Sequence, residues 1–168
     1  MFAKPVRTVA AGFALLFAAS GLLYFWLIGY EVWAVHPTGF YGYQTDAFLS
    51  GHLYLNFKPD PNLAELPDPY LGDQNRPYRV LDFSYYKGRY YSYFGVAPVV
   101  LLTLPWRLLT GTFLTEQGAT AILALGTSAL SLAFLWRFWR GNCPEAAPGE
   151  LVAAGALVTL GNFSTILL

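Results

Sequence analysis

The residues best suited to chemistry are carboxylates and tyrosine rings between Glu31 and Tyr93. Asp46 sits in "YGYQTDAFLSGHLYL", soon after a long apolar tract ends. A carboxylate there could act as a general base at a membrane boundary, or bind a divalent metal with a mono- or diphosphate. The plainer role, which residue type alone ranks first, is a solvated helix residue favoured by the helix dipole. Asp82 is the next acid, whereas Asp68 and Asp73 flank turn residues in "DPYLGD" and read as turn formers. Further on, "GRYYSYFGVAP" sets four aromatic rings and an arginine against the start of another apolar tract. Such rings suit anchoring in the headgroup layer, or the rim of a site for a sugar or lipid phosphate at the bilayer surface.

Other chemistries find less support. His36 and His52 are the two histidines, and they lack helical ligand spacing, so a zinc site would need more ligands brought in by the fold. Cys143 is the one cysteine, which excludes an intrachain disulfide and a cysteine metal site. Net charge is zero and there is no basic stripe, so no nucleic-acid partner is expected. A divalent metal is the one cofactor the carboxylates suggest, and no ligand set can be written for it.

The elements that must position these residues are mostly apolar. Of 168 residues, 55% are hydrophobic and 12% charged, half the charge of a soluble domain. The deficit falls in long uncharged runs, which indicates a membrane protein. The first run, Thr8 to Tyr30, predicts a spanning helix over 8–33. It exceeds the roughly 7–15 apolar residues of a signal peptide and reads as an uncleaved anchor. Lys4 and Arg7 precede it, which places the N-terminus in the cytoplasm. Tyr24, Trp26, Tyr30 and Trp33 gather at its far end like an aromatic belt. Ala10, Ala14 and Ala18 form a stripe that suits close packing on another helix, or chance in an alanine-rich run.

Residues 34–93 form the large loop, too rich in aromatic and aliphatic side chains for a linker or a disordered segment. Within it, Tyr43, Ala47 and Phe48 predict an amphipathic helix lying in the headgroup plane and stopped at Gly51. A proline-studded stretch, "KPDPNLAELPDPYLGDQNRP", should be extended with turns. "YRVLDFSYYKGRYYSYF" fits a hairpin turning at Tyr86 to Arg89, or a second interfacial helix. Further spanning helices are expected at 94–112, interrupted by Pro98 and Pro105, at 117–138 and at 150–168. The expected fold is therefore an all-α polytopic membrane protein of about four transmembrane helices, with a large, partly helical extracytoplasmic loop between helices 1 and 2. The last apolar run is still in progress at Leu168, so the chain is expected to be the front part of a longer protein. Charge placement is mixed: a cytoplasmic N-terminus with alternation puts Arg107 inside but Arg137 and Arg140 outside, the opposite orientation puts the loop's basic residues and those two arginines inside, and the first helix, which usually dominates, favours the cytoplasmic N-terminus. The acceptor pattern Asn162-Phe163-Ser164 falls inside an apolar tract, out of reach of glycosylation.

One resemblance covers the chain as architecture, and particular residues around 41–55 and 78–111. An anchor helix, an outer loop with an early Asp, and "GRYYSYFGVAPVVLLTLPWRLLTG" together resemble the C-type integral-membrane glycosyltransferases. Protein mannosyltransferases and bacterial aminoarabinose and lipopolysaccharide-core sugar transferases are the most similar in pattern. The chain departs from them where a lysine and a double proline often precede the second helix; Tyr93 to Pro98 stand there instead. The resemblance implies a sugar donor on a polyprenyl phosphate, used at the outer face of a bacterial inner membrane, with a glycan, lipid or protein acceptor. It implies Asp46 as the base, with Asp82 as second candidate. Lys87, Arg89 or Arg79 would neutralise the lipid phosphate, and Tyr43, Tyr90 and Tyr91 would contact sugar or the interface.

The rival class is a non-enzymatic membrane protein, an assembly subunit or part of a transporter. It explains the helices and anchoring rings, but less readily an ordered loop of this length carrying surface carboxylates.

Overall fold

The computed structural model describes residues 3–161, with side chains from Val6 onward. In chain order it contains α1 (Ala3–Leu27), β1 (Trp33–Ala34), α2 (Gly39–Leu49), α3 (Pro61–Glu65), α4 (Gly72–Asn75), β2 (Ser84–Tyr86) and β3 (Arg89–Tyr91). A π-helical segment (Val99–Thr103) follows, then α5 (Leu104–Thr110), β4 (Phe113–Leu114), α6 (Glu116–Asn142) and α7 (Pro148–Leu160). The protein is mostly helical, at 62% helix with little strand. The chain divides into two compact units, one formed by the residues up to Val32 and from Gln117 on, the other by Trp33–Glu116.

In the first unit, two helices are long and apolar enough to cross a membrane, Val6–Leu27 and Glu116–Asn142. Helix α1 ends earlier than the expected 33, because Gly29 and Tyr30 both turn into the left-handed region. α7 packs on α1. Val9, Phe13, Leu132, Trp139 and Leu151 form the core between the helices. A Cβ on Gly12 would come within 2.5 Å of Val152, so glycine permits this close approach. Ala10, Ala14 and Ala18 are exposed, so the expected alanine stripe is not the packing face here. Tyr24 also departs from its expected place in an aromatic belt. It is fully buried, and its hydroxyl donates to the Thr159 carbonyl at 2.8 Å. Trp26, Tyr30 and Trp33 are exposed, as belt residues would be. The acceptor pattern at Asn162 and the end of the expected helix 150–168 lie outside the described residues; the described part is α7.

The second unit merges two regions that the sequence reading kept apart, the loop 34–93 and the expected spanning helix 94–112. Its ends are joined by β1 and β4, which pair antiparallel with Trp33 opposite Leu114 and Ala34 opposite Phe113. The apolar helix here, Val99–Thr110, is shorter than the roughly 20 residues that span a bilayer. Two features distort it without ending it. Pro105 lacks an N–H and its ring crowds the carbonyl four residues back. The helix widens just before it, with the Leu104 amide bonding to Val99 five residues back. Gly111, in the left-handed conformation, then stops α5.

Helix α2 is buried on several sides, through Gly42, Gln44, Thr45 and Ala47. It is a core helix of the unit, not the amphipathic surface helix expected from Tyr43, Ala47 and Phe48. Its N-cap residue, Thr38, makes no capping bond. Instead Glu116 reaches back and accepts from the Phe40 amide at 2.6 Å. Thr45 and Thr103 then share a buried 2.7 Å hydrogen bond, which fixes α2 against the π-helical segment. The unit's core is largely aromatic. Tyr90, Leu55, Leu63 and Ala47 are buried, with Tyr43, Phe57, Tyr78, Phe83 and Tyr85 packed around them. The hairpin forms as the sequence predicts. Tyr86 pairs with Arg89, and Lys87 and Gly88 both take positive φ, as a type I′ turn requires.

Gly39 tests this arrangement. Its φ is +64°, and an added Cβ would lie 2.5 Å from the Glu116 carboxyl carbon. Gly51 has φ +79° with open space around it. Gly51→Ala should therefore cost about 1–2 kcal/mol from backbone strain alone. Gly39→Ala should lower the thermal midpoint of the purified protein distinctly further, because it also displaces the cap. Equal shifts for the two variants would show that Glu116 does not hold α2.

Candidate functional site

Asp46 lies in the last turns of α2 and is half-buried. Its Oδ2 accepts from the Asn56 side-chain amide at 2.6 Å. The same amide lies 3.0 Å from Ser50 Oγ, which in turn donates to the Asp46 carbonyl at 2.9 Å. A neutral amide thus orients the carboxylate without neutralising it. Among the described residues, no group of three or more His, Cys, Asp or Glu side chains could hold a metal ion. The divalent metal suggested by the sequence therefore has no such ligand set around Asp46.

Asn56 also ties Asp46 to a segment whose Tyr54 meets a cation. The Leu55 amide bonds to the Tyr90 carbonyl at 2.8 Å, and Tyr54 bridges Tyr91, so this short segment lies along β3. Leu55 is buried, whereas Tyr54 is half-exposed and Asn56 exposed, the alternation of an extended strand. Tyr54 carries the Arg89 guanidinium 3.8 Å above its ring centroid. His52 stacks on the same ring at 3.7 Å, with planes 8° apart. Two flat groups that close to one centroid must occupy opposite faces, which makes a stack of His52, Tyr54 and Arg89. The cation–π contact holds the guanidinium in place without consuming its charge. The outward side of Tyr54–Asn56 therefore gathers a carboxylate and a guanidinium that are 43 positions apart in the sequence.

The other expected site residues are placed elsewhere. Lys87 sits at the hairpin tip, its ammonium 5.1 Å from the Tyr86 ring centroid. Arg79 lines a separate concavity of about 390 Å³ with Tyr70, Asn75, Ser84 and Tyr85, over a floor that includes Leu63 and Tyr90. Neither Asp46 nor Arg89 lines it. Tyr90 is fully buried, and its hydroxyl accepts from the Val80 amide at 3.2 Å. It is a packing residue, which corrects the expectation of an interface contact. Tyr43 packs edge-on against Phe57 and Phe83, while Tyr91 is half-buried beside Tyr86. Sequence reasoning missed Asn56, Tyr54 and His52. A hydrophobic alternation across "HLYLN" was the available signal, and it does not reveal which strand the segment joins.

Asp82 is exposed, in the left-handed conformation that Asp tolerates, and accepts from the Tyr93 hydroxyl at 3.0 Å. That hydrogen bond holds the Tyr93 phenol above its ordinary 10.0, with desolvation and the charge of Asp82 acting in the same direction. A raised pKa means that the folded state binds the proton more tightly. The contribution is complete below the ordinary value and disappears as pH rises through the raised one. Titration of isotope-labelled tyrosines by NMR should show one tyrosine whose pKa falls on Asp82→Asn. No change in any tyrosine would mean that Asp82 and Tyr93 are not bonded in solution. Compared with protein-family models, with curated proteins and with solved structures, the chain matches none of them.

Proposed function

We propose that this chain belongs to a membrane glycosyltransferase that takes a sugar from a polyprenyl-phosphate donor at the outer face of the membrane. The observation that carries the reading is that Asp46 is bonded by Asn56 while Arg89 lies on Tyr54, two residues away in the same segment. In this reading Asp46 removes the proton of the acceptor hydroxyl as that oxygen attacks the anomeric carbon, and the polyprenyl phosphate leaves. Arg89, held flat on Tyr54, balances the phosphate charge in the complex and as it leaves. Asn56 keeps the carboxylate aimed.

The same reading assigns the topology. With α1 and α6 as the spans and 94–112 part of the outer unit, the C-terminal end of α6 returns to the cytoplasmic side. Arg137 and Arg140 then join Lys4 and Arg7 inside, as the positive-inside rule favours. A full spanning helix at 94–112 would have left them outside.

Two experiments follow. A membrane-impermeant thiol reagent applied to intact cells should label cysteines placed at Ser50 and Asn62, in a background lacking Cys143. The native Cys143, which is exposed, should react only after lysis. Labelling of Cys143 in intact cells would restore a span at 94–112. Labelling of Ser50 and Asn62 only after lysis would put the unit in the cytoplasm, where this donor is not used.

Asp46→Asn in the whole protein should reduce transfer from polyprenyl-phosphate sugars by ~10²–10⁴ while leaving membrane insertion intact. Arg89→Ala should weaken donor binding more than it slows the chemical step. Asp73→Asn, on the short helix α4, should change little. If Asp82→Asn abolishes transfer and Asp46→Asn does not, the base is Asp82. If both behave like the parent, the carboxylates are structural and the chain belongs with non-enzymatic assembly or transporter subunits.

A further inference from the structure

Helix α6 carries its charge at its ends. Residues 117–136 hold none, which is about 30 Å of helix at 1.5 Å per residue and matches a bilayer core. Arg137 is the first charge beyond that run, so it falls at the headgroup boundary, with Arg140 one turn further. Leu132 and Trp139 belong to the core of the first unit. Leu130, Phe134, Arg137 and Gly141 recur at helical spacing and form one stripe on the side away from that core. Leu130 is 74% and Phe134 67% exposed, and both arginines are exposed. A Cβ at Gly141 would meet nothing within 4 Å, so the space one turn from Arg137 is open.

Two concavities share Phe134 on this helix. One, about 880 Å³, follows the helix end past Phe134, Arg137, Phe138, Arg140 and Gly141. The other, about 420 Å³, lies deeper in the span and is lined by Leu130 and Leu135 of α6 with Val158 of α7. Among the described residues, neither guanidinium has a hydrogen bond or an ion pair. Arg140 also offsets the negative end of the helix dipole, a role that needs neither Arg137 nor a groove. A cationic end that continues into an apolar groove matches a lipid, headgroup first and chain below. A free anion would leave the groove unused, and a packed apolar helix would strip water from two unpaired charges. We infer that this stripe holds one anionic phospholipid, with its phosphate between Arg137 and Arg140 and an acyl chain running past Phe134 toward Leu130 and Val158. In the topology proposed above, this end of α6 lies in the cytoplasmic leaflet, where anionic lipids are attracted to basic groups. The proposed sugar donor has its phosphate at Arg89, in the second unit, so this lipid is a different one. The inference rests on α6 being a span and requires no transfer chemistry.

The test titrates the detergent-solubilised whole protein with lipids and counts bound molecules by native mass spectrometry. One dioleoylphosphatidylglycerol should bind saturably and more tightly than dioleoylphosphatidylcholine, which has the same chains and no net charge. Arg137→Gln with Arg140→Gln should weaken phosphatidylglycerol binding about tenfold or more and remove the preference. Gly141→Leu introduces a helix-favouring residue and should weaken binding without lowering the thermal midpoint, by filling the open space. Arg7→Gln removes a charge that lines neither concavity and should change little. Equal binding of the two lipids would overturn the inference. So would an equal loss in Arg7→Gln, which would mean general surface attraction. Glycerol 3-phosphate binding as tightly as the lipid would make this an anion site and overturn the lipid assignment. A dimer that excludes phosphatidylglycerol and dissociates in Gly141→Leu would give the stripe to a second copy of the chain instead. Binding in detergent depends neither on orientation nor on Asp46, so failure here leaves the transferase reading standing, and loss of that reading leaves this site standing.

Discussion

The second unit depends on one contact, the Glu116 carboxylate on the Phe40 amide. A helix begins with unpaired N–H groups and a partial positive charge, and α2 has no side-chain cap of its own. Glu116 supplies both the acceptor and the charge from 76 residues downstream. The approach is so close that a Cβ at position 39 would displace the carboxylate, and glycine also accommodates the positive φ there. Beside it, the two-residue β1–β4 ladder fastens the same ends of the unit. With α2 fixed at its start, Thr45 meets Thr103 and Asp46 meets Asn56.

Aromatic residues then serve two purposes that composition does not separate. Tyr90, Phe57, Phe83 and Tyr43 build the interior, meeting edge-on or tilted, as ring quadrupoles favour. Tyr54, Tyr70 and Tyr86 remain nearer the surface and meet cations or each other's neighbours. Proline and turn residues between them fold the chain into short pieces, so hydrogen bonding relies on local turns and the β2–β3 hairpin. A core of inclined rings tolerates such irregular backbone, because large flat side chains fill space that regular elements would otherwise occupy.

The first unit follows membrane-type packing rules within itself. Glycine at position 12 allows close contact with Val152, and the buried hydroxyls of Ser20, Tyr24 and Thr159 bond to backbone carbonyls. Tyr24 is the clearest case. In lipid an unpaired phenol would be costly, and its bond to the Thr159 carbonyl removes that cost while joining two helices.

The sequence by itself determined what local rules control. The long uncharged runs gave α1 and α6, because length and apolarity alone decide whether a helix can span. Gly51 and the Lys87-Gly88 pair gave a helix stop and a hairpin, because positive φ is a property of residues and their immediate neighbours. The helix around Asp46 was legible for the same reason, although its buried setting was not. Tertiary structure alone decided everything that joins distant positions. No local pattern pairs Trp33 with Leu114, sends Glu116 to Phe40, or folds 94–112 into the same unit as the preceding loop. It also decided that Tyr24 and Tyr90 are buried while Trp26 and Tyr70 are not, since an amphipathic ring suits either place. The candidate site divides in the same way. Asp46 stood out as an early carboxylate, whereas its bond to Asn56, two residues from the ring that meets Arg89, depends on the Tyr54–Asn56 segment lying along β3, an arrangement set by long-range packing of Leu55 and Tyr90.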